Sequence, residues 1–324
     1  MASKYTVSVD MGGTKILASV LNTKEGIIAR DKKPTNVEAG TSTYINDIIQ
    51  LISSVIEKSG VKSSQIVSVS LGVPGSVNPL TGIIGLAPNL GLKNYNIKKA
   101  LQKRINHPVL IENDVNLAAL GIKHFGVGKK AKNILVVSVG TGIGGGIILN
   151  EKLYRGSKFV AGEIGHIPVE KNGPVCGCGR KGCFESVASR TAIVNRIFAD
   201  IKAGRRCVLK DYVKSGKKIK SGALKNAIAK KDKVVLKRIT EASETIGQVL
   251  AGLTNFLNFD MIVLAGGLIE AADNFMLPVI KSSFNKHVLK DSANGLKILP
   301  SKLADDAAIY GGIALTEEYL GIKI

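Results

Sequence analysis

The chain has 324 residues and a formal net charge of +20, from 45 Lys and Arg against 25 Asp and Glu. Its 45% hydrophobic and 22% charged content excludes a disordered chain and gives enough length for two domains with separate cores. No apolar run approaches the roughly 20 residues that span a bilayer, MASKYTVSVD has no signal-peptide layout, and cysteines at metal spacing suit a reducing compartment, so the expectation is a cytoplasmic protein with no membrane partner.

In chain order, VSVDMGGTKILAS (7–19) predicts a β-hairpin with a glycine tip. Gly12 and Gly13 allow close backbone approach to a phosphate, Thr14 and Lys15 add donors, and Asp10 can hold Mg²⁺ through water. TSTYINDIIQLISSVIEKSG predicts a helix stopped by Gly60. A strand IVSVSLGVPG follows, then a Gly/Pro/Asn-rich loop SVNPLTGIIGLAPNLG, a helix IKKALQKRI and a strand PVLIEND leading into the helix VNLAALG. Asp114 therefore falls at a strand's C-terminal end and a helix N-terminus. Open α/β sheets keep ligands there, and the helix dipole favours an ionised carboxylate. Phosphoryl transfer needs a positioned proton acceptor more than a strong one. The competing role for Asp114 is a helix cap.

VSVGTGIGGGIIL (137–149) repeats the first hairpin about 130 residues later and predicts two related domains. Gly140–Gly146 contains G-x-G-x-x-G. A dinucleotide fold would need a helix straight after it, whereas Ile147, Ile148 and Leu149 continue as a strand. In the run from Glu163 to Glu185, His166, Cys176, Cys178 and Cys183 offer one imidazole and three thiolates, the donor set of a structural zinc site. The region 187–257 is predicted mostly helical. Between Asp200 and Thr240 stand 14 Lys and Arg against three Asp. Tyr212 is the one aromatic in the stretch, too few for base stacking, so a solvated helical face is preferred to a nucleic-acid surface, with attraction of ATP or polyphosphate as an alternative. DMIVLAGGL predicts a buried strand closed by Gly266 and Gly267, LKILPSKL another strand, and DAAIYGGIALTEEYL a last helix capped by Asp305 or Asp306 and packed on the N-terminal domain.

Taken together, DMGGTK, GVPG, APNL, END, GTGIGGG, EIGH, CGCGRKGCFE and LAGG resemble the ROK family of sugar kinases and repressors over essentially the whole chain. The resemblance implies an α/β, two-lobed actin-like ATPase (ribonuclease-H-like) fold with duplicated mixed-sheet domains around a central cleft. A small lobe would span 1–115, completed by 305–324, and a large lobe 116–304. It further implies ATP-dependent phosphorylation of a hexose 6-hydroxyl, glucose first, with fructose, mannose or an N-acetylhexosamine as alternatives. Asp114 would be the base. Asn113, Glu163, His166 and Glu185 would bind the other hydroxyls, with Gly75 and Asn89 on the opposite wall. Asp10, Gly12, Gly13, Thr14, Lys15, Gly140, Thr141 and Gly142 would hold the ATP phosphates and Mg²⁺, and Gly266 and Gly267 the nucleoside. His166 would ligate zinc and touch sugar. A homodimer or dimer of dimers is implied as well. Leu92, Val115 and Ile122 depart from the family pattern near the sugar loops. The family's repressors carry a DNA-binding domain ahead of this region, and nine residues before Asp10 are too few for one.

Overall fold

The computed structural model describes residues 3–36 and 40–324. β1 (Tyr5–Met11), β2 (Lys15–Asn22) and β3 (Gly26–Pro34) form an antiparallel meander, followed by α1 (Thr41–Ser59). β4 (Ile66–Val73) returns parallel to β1. β5 (Ser76–Asn78), β6 (Ile83–Ala87) and β7 (Leu92–Asn96) make a small antiparallel sheet. After α2 (Ile97–Gln102), β8 (Val109–Asn113) pairs parallel with β4 and runs into α3 (Asp114–Phe125).

β9 (Ile134–Val139), β10 (Ile143–Leu149) and β11 (Lys152–Leu153) open the second sheet. The helices α4 (Phe184–Ala188), α5 (Arg190–Lys202), α6 (Lys210–Lys214), α7 (Ser221–Ala229) and α8 (Lys233–Leu257) follow. β12 (Met261–Ala265), α9 (Gly267–His287), α10 (Lys290–Ala293), β13 (Lys297–Pro300) and α11 (Asp306–Leu320) complete the chain. The sheet orders are β3-β2-β1-β4-β8 and β11-β10-β9-β12-β13, the same pattern twice, so the two predicted hairpins do open two equivalent sheets. Two compact units result. The first runs to Lys130 and adds Gly146–Ala161 and Asp305–Ile324; the second holds Ala131–Gly145 and Gly162–Ala304.

Three local expectations are corrected. The segment 76–91, expected as loop, carries β5 and β6, because Val77, Ile83 and Ile84 favour extended backbone between its turns. Asn113, not Asp114, caps α3: its side chain accepts from the N–H groups of Val115 and Asn116 at 2.9 and 3.0 Å. Asp305 stands at the cap position of α11 but makes no capping bond, since its carboxylate pairs with Lys15 and that of Asp306 with Arg30.

The first sheet is buried on both faces. Val7, Val9, Val69 and Leu71 pack with Tyr44, Ile48, Leu51 and Val55 of α1 in one apolar core. The alternate positions, Thr6, Ser8, Ser68 and Ser70, are buried too. α11 covers them: Thr316 Oγ1 lies 2.7 Å from Ser68 Oγ and 3.1 Å from Ser70 Oγ, and Ser8 Oγ donates to Ala308 O at 3.4 Å. Small hydroxyl residues thus let the helix backbone sit close to the strands, and Thr6, Ser8, Ser68 and Ser70 each keep a hydrogen-bond partner there.

α3 and α11 meet on glycines. A Cβ added to Gly121 would stand 1.8 Å from Ala307 O, and one added to Gly311 1.9 Å from Leu117 O. These neighbours are backbone and cannot turn aside. Gly121→Ala should therefore lower stability by about 1–3 kcal/mol or more through overpacking, although helix propensity alone would raise it by about 1 kcal/mol. Thermal unfolding decides the sign, and an unchanged or higher Tm would mean that the helices separate freely.

In the second unit the basic stretch runs from the end of α5 through α6, α7 and their connections to the start of α8. Arg205 and Arg238 pair with Asp200, while Lys202, Lys217, Lys218, Lys225, Lys230 and Lys231 are exposed. Among the described residues no helix is long and apolar enough to cross a membrane.

Candidate active site and metal centre

The first hairpin turns at Gly12–Thr14. Gly12 N–H donates to Lys15 O at 2.9 Å, and Thr35 clamps the turn by donating from Oγ1 to Gly12 O at 2.7 Å and from N–H to Thr14 O at 3.1 Å. Gly13 and Thr14 stay exposed at the tip. Asp10, at the end of β1, is pushed up to about 7 by loss of hydration, with the charges of Asp114 and Asp305 adding to the shift and Lys15 opposing it. A divalent cation bound beside such a carboxyl would displace its proton to water. Asn89, on the short helical turn Pro88–Leu90, lies against this hairpin: a Cβ on Gly13 would be 3.5 Å from Asn89 Cβ.

The β8–α3 junction is held from below. Glu112, 1% exposed, accepts from Arg155 Nε at 2.7 Å, Asn113 N–H at 2.9 Å and Asn116 Nδ2 at 3.1 Å. Arg155 in turn donates to both oxygens of Glu318 on α11, at 2.7 and 3.1 Å. Asn113 Nδ2 donates to Gly75 O at 3.1 Å. Gly75 has φ +91°, and a Cβ there would meet Leu86 O at 2.2 Å, so only glycine fits this approach. Asn113 supplies the cap, and Asp114 Oδ1 also accepts from Val115 N–H, at 2.9 Å. Asp10, Gly12–Lys15, Gly75, Asn89, Asn113 and Asp114 all lie in the first unit.

The second unit gathers Gly140–Gly142, Glu163, His166, Cys176, Cys178, Cys183, Glu185, Gly266 and Gly267. Gly140 N–H donates to Gly142 O at 2.9 Å to close the β9–β10 turn. Glu185, in the first turn of α4, accepts from Ile143 N–H at 2.9 Å, and a Cβ on Gly142 would collide with its Oε2 at 2.2 Å. The EIGH turn packs on the same strand, since a Cβ on Gly165 would be 2.2 Å from Ile143 O and 3.4 Å from Glu185 Cβ. Glu163 and His166 therefore flank Glu185, with His166 Nε2 3.7 Å from Glu163 Oε2. Gly266, φ +91°, tucks against Val139 at the end of β9.

His166, Cys176, Cys178 and Cys183 bring their ligand atoms within 4.8 Å of one another. His166 Nδ1 is 3.6 Å from Cys176 Sγ, and Cys178 Sγ is 3.7 Å from Cys183 Sγ. Zn–S and Zn–N bonds of usual length make tetrahedral edges of about 3.5 Å (S to N) and about 3.8 Å (S to S), so the cluster has the size and donor chemistry of a zinc site. Burial pushes Cys183 up to about 12, whereas the Arg180 backbone and side chain bring Cys178 down to about 6. Residues 168–183 are pinned by bridges between Pro168 and Cys183 and between Val175 and Lys181. A groove of about 730 Å³ along α8 and α9, lined by Thr240, Glu244, Gln248, Pro278 and Lys286, shares no residue with these motifs.

Three residues near the motifs had no signal in the sequence. Asp305 reaches the first hairpin only because α11 packs on the first sheet. Arg155 reaches Glu112 from a segment with no motif. Arg190 sits beside the second glycine loop by virtue of opening α5.

Two sheets of one order, each opened by a glycine-tipped hairpin, make up a two-domain α/β fold, that of the ROK sugar kinases. The chain belongs to the ROK family, whose family model matches residues 6–319. It is 34% identical to a glucokinase of Halalkalibacterium halodurans over 96% of this chain and 94% of that protein. It is 30% identical to the xylose repressor of Bacillus subtilis over 95% of this chain and 75% of that protein. The structure of a ROK family glucokinase from Streptomyces griseus, in complex with glucose and AMPPNP, superposes with a TM-score of 0.84 at 28% identity, covering 97% of this chain and 99% of that chain.

Proposed function

We propose that the protein is a sugar kinase that transfers the terminal phosphoryl of ATP to the 6-hydroxyl of a hexose, with glucose the first acceptor. The observation that carries this reading is the position of the Asp114 carboxylate, just after β8 at the N-terminus of α3 and close enough to Asp10 to raise its pKa. An acceptor for the sugar's proton and a phosphate-loop acid thus share one electrostatic environment. The glucokinase relative and the glucose complex of the structural neighbour support the same reading.

In this scheme Asp114 accepts the proton of the attacking hydroxyl, and Asn113, Gly75, Asn89, Glu163, His166 and Glu185 hold the rest of the sugar. Fixing one hydroxyl in line is the larger part of catalysis for a loose transition state. The tips of both hairpins bind the phosphates, Gly266 and Gly267 the nucleoside, and Asp10 a Mg²⁺ ion that would neutralise phosphate charge when bound. His166, Cys176, Cys178 and Cys183 would hold zinc, which would lock the 162–189 segment in shape. His166 Nδ1 faces the cysteine cluster and leaves Nε2 toward Glu163, so the metal sets the imidazole that meets sugar. The reading includes a cytoplasmic homodimer or dimer of dimers.

A second reading, a sugar-responsive repressor, draws on the xylose repressor similarity. Steady-state assays of ATP consumption with about ten sugars and Mg²⁺ separate the two. The expected result is saturable turnover with a 6-hydroxyl hexose and none with 6-deoxyglucose. Sugar binding by calorimetry without any ATP consumption would refute the kinase.

A further inference from the structure

Arg190 opens α5, and its surroundings are unusual for a half-buried guanidinium. Its Nη2 donates to Thr141 Oγ1 at 2.6 Å and its Nη1 to Ser221 Oγ at 3.3 Å. Its backbone N–H donates to Gly140 O at 3.0 Å, and the next residue ties in as well, Thr191 Oγ1 donating to Thr141 O at 2.7 Å. Ser221 begins α7 and borders the third glycine motif, since a Cβ on Gly267 would be 3.7 Å from Ser221 Oγ. One side chain therefore joins the second glycine loop to the start of α7 beside the Gly266–Gly267 turn, all within the second unit.

The partners are two neutral hydroxyls. No carboxylate among the described residues pairs with Arg190, whereas Arg155, Arg196, Arg205 and Arg238 each have one. A guanidinium has five N–H donors, so part of its hydrogen-bonding capacity and its whole charge remain for an anion. A hydroxyl that accepts from Arg keeps its own proton to give away. Thr141 and Ser221 are thereby set as donors beside a cation, which is the chemistry of a phosphate site.

We propose that Arg190 reads the phosphate chain of the nucleotide donor, acting directly as a cation and indirectly by aiming the Thr141 and Ser221 hydroxyls. The proposal rests on the donor-binding reading of the glycine loops given above. A purely structural tie would affect stability without regard to how many phosphates the ligand carries. A phosphate reader discriminates by phosphate number.

The test is calorimetric titration of ATP, ADP and AMP, with Mg²⁺, into the zinc-loaded wild type, Arg190→Gln and Arg190→Lys, with Tm and metal content measured alongside. Arg190→Gln is expected to weaken ATP binding by about 10- to 100-fold, the value of a lost charged hydrogen bond, with AMP affinity and the KM for sugar within about twofold. Arg190→Lys should recover part of the ATP affinity, because it keeps the charge and loses the two-hydroxyl fork. ATP affinity unchanged in both variants, or ATP and AMP weakened in equal proportion, overturns the proposal. If Arg190→Gln loses Tm or metal, Thr141→Val takes its place in the same titration, and an equal affinity for ATP in that variant counts against the proposal. Failure of the wild type to bind any of the three nucleotides sinks the donor-site reading itself, and this inference with it.

Discussion

Asp114→Asn is expected to lower kcat by about three orders of magnitude while sugar affinity, measured by calorimetry, stays within a few-fold. General-base groups contribute about 10²- to 10⁴-fold, and a thousandfold loss corresponds to about 4 kcal/mol at the transition state. The substitution is clean for structural reasons. Asn presents an oxygen where Asp114 Oδ1 accepts from Val115 N–H, and Asn113 still caps α3. Glu112, Arg155 and Asn116 still brace the junction from below. The change removes a proton acceptor and one negative charge. Losing that charge also eases the ionisation of Asp10, which Asp114 helps to hold near pH 7, so phosphate and metal binding should not suffer. Turnover within tenfold of the wild type would refute the base.

Cys183→Ser carries the second large effect: zinc falls from about one per chain to near none, and the KM for sugar rises about tenfold. Cys183 is 1% exposed, bridges Pro168 across the loop and sits 3.7 Å from Cys178. A serine hydroxyl is a poor replacement for thiolate in a tetrahedral zinc site. Release of the metal frees the imidazole of His166 and the turn that carries Glu163. Loss of an outer partner of a metal site costs about 10–100-fold in affinity or activity, and Glu163, 3.7 Å from His166 Nε2, stands in that relation to the proposed zinc. Cys207, outside the cluster, is the control, and Cys207→Ser should leave metal content alone. Full zinc occupancy in Cys183→Ser, measured by mass spectrometry, would falsify the metal assignment.

Most of the architecture was legible because each motif carries its own geometry. A β-branched run into D-x-G-G or G-T-G is a hairpin, PVLIEND ends a buried strand, and H-x₉-C-x-C-x₄-C is a ligand set. What stayed hidden arises where one periodicity hides another. Thr6, Ser8, Ser68 and Ser70 alternate with apolar residues, a pattern that does not mark them as interior, yet α11 covers them, and the close approach of its Gly312 to Ser8 and Ser70 explains why small hydroxyl residues suit that face. The pairing of Lys15 with Asp305 and of Arg155 with Glu112 joins residues 290 and 43 positions apart. No local pattern links such partners. Asp305 and Asp306 looked like caps because both precede a helix, but cations on the neighbouring hairpin claimed them.

The first sheet is covered by a segment that the ribosome delivers long after its strands. β1, β2 and β4 are made early, but α11, which shields their serine-lined face, follows the whole of 162–304. Domains generally fold as units during synthesis, so the second unit is complete while the earlier strands still lack their cover. A nascent chain stopped before Asp305 would leave that face bare, and the phosphate hairpin without Asp305 as the partner of Lys15. Synthesis must therefore pass Leu320 before the first sheet, begun at Tyr5, acquires its full cover.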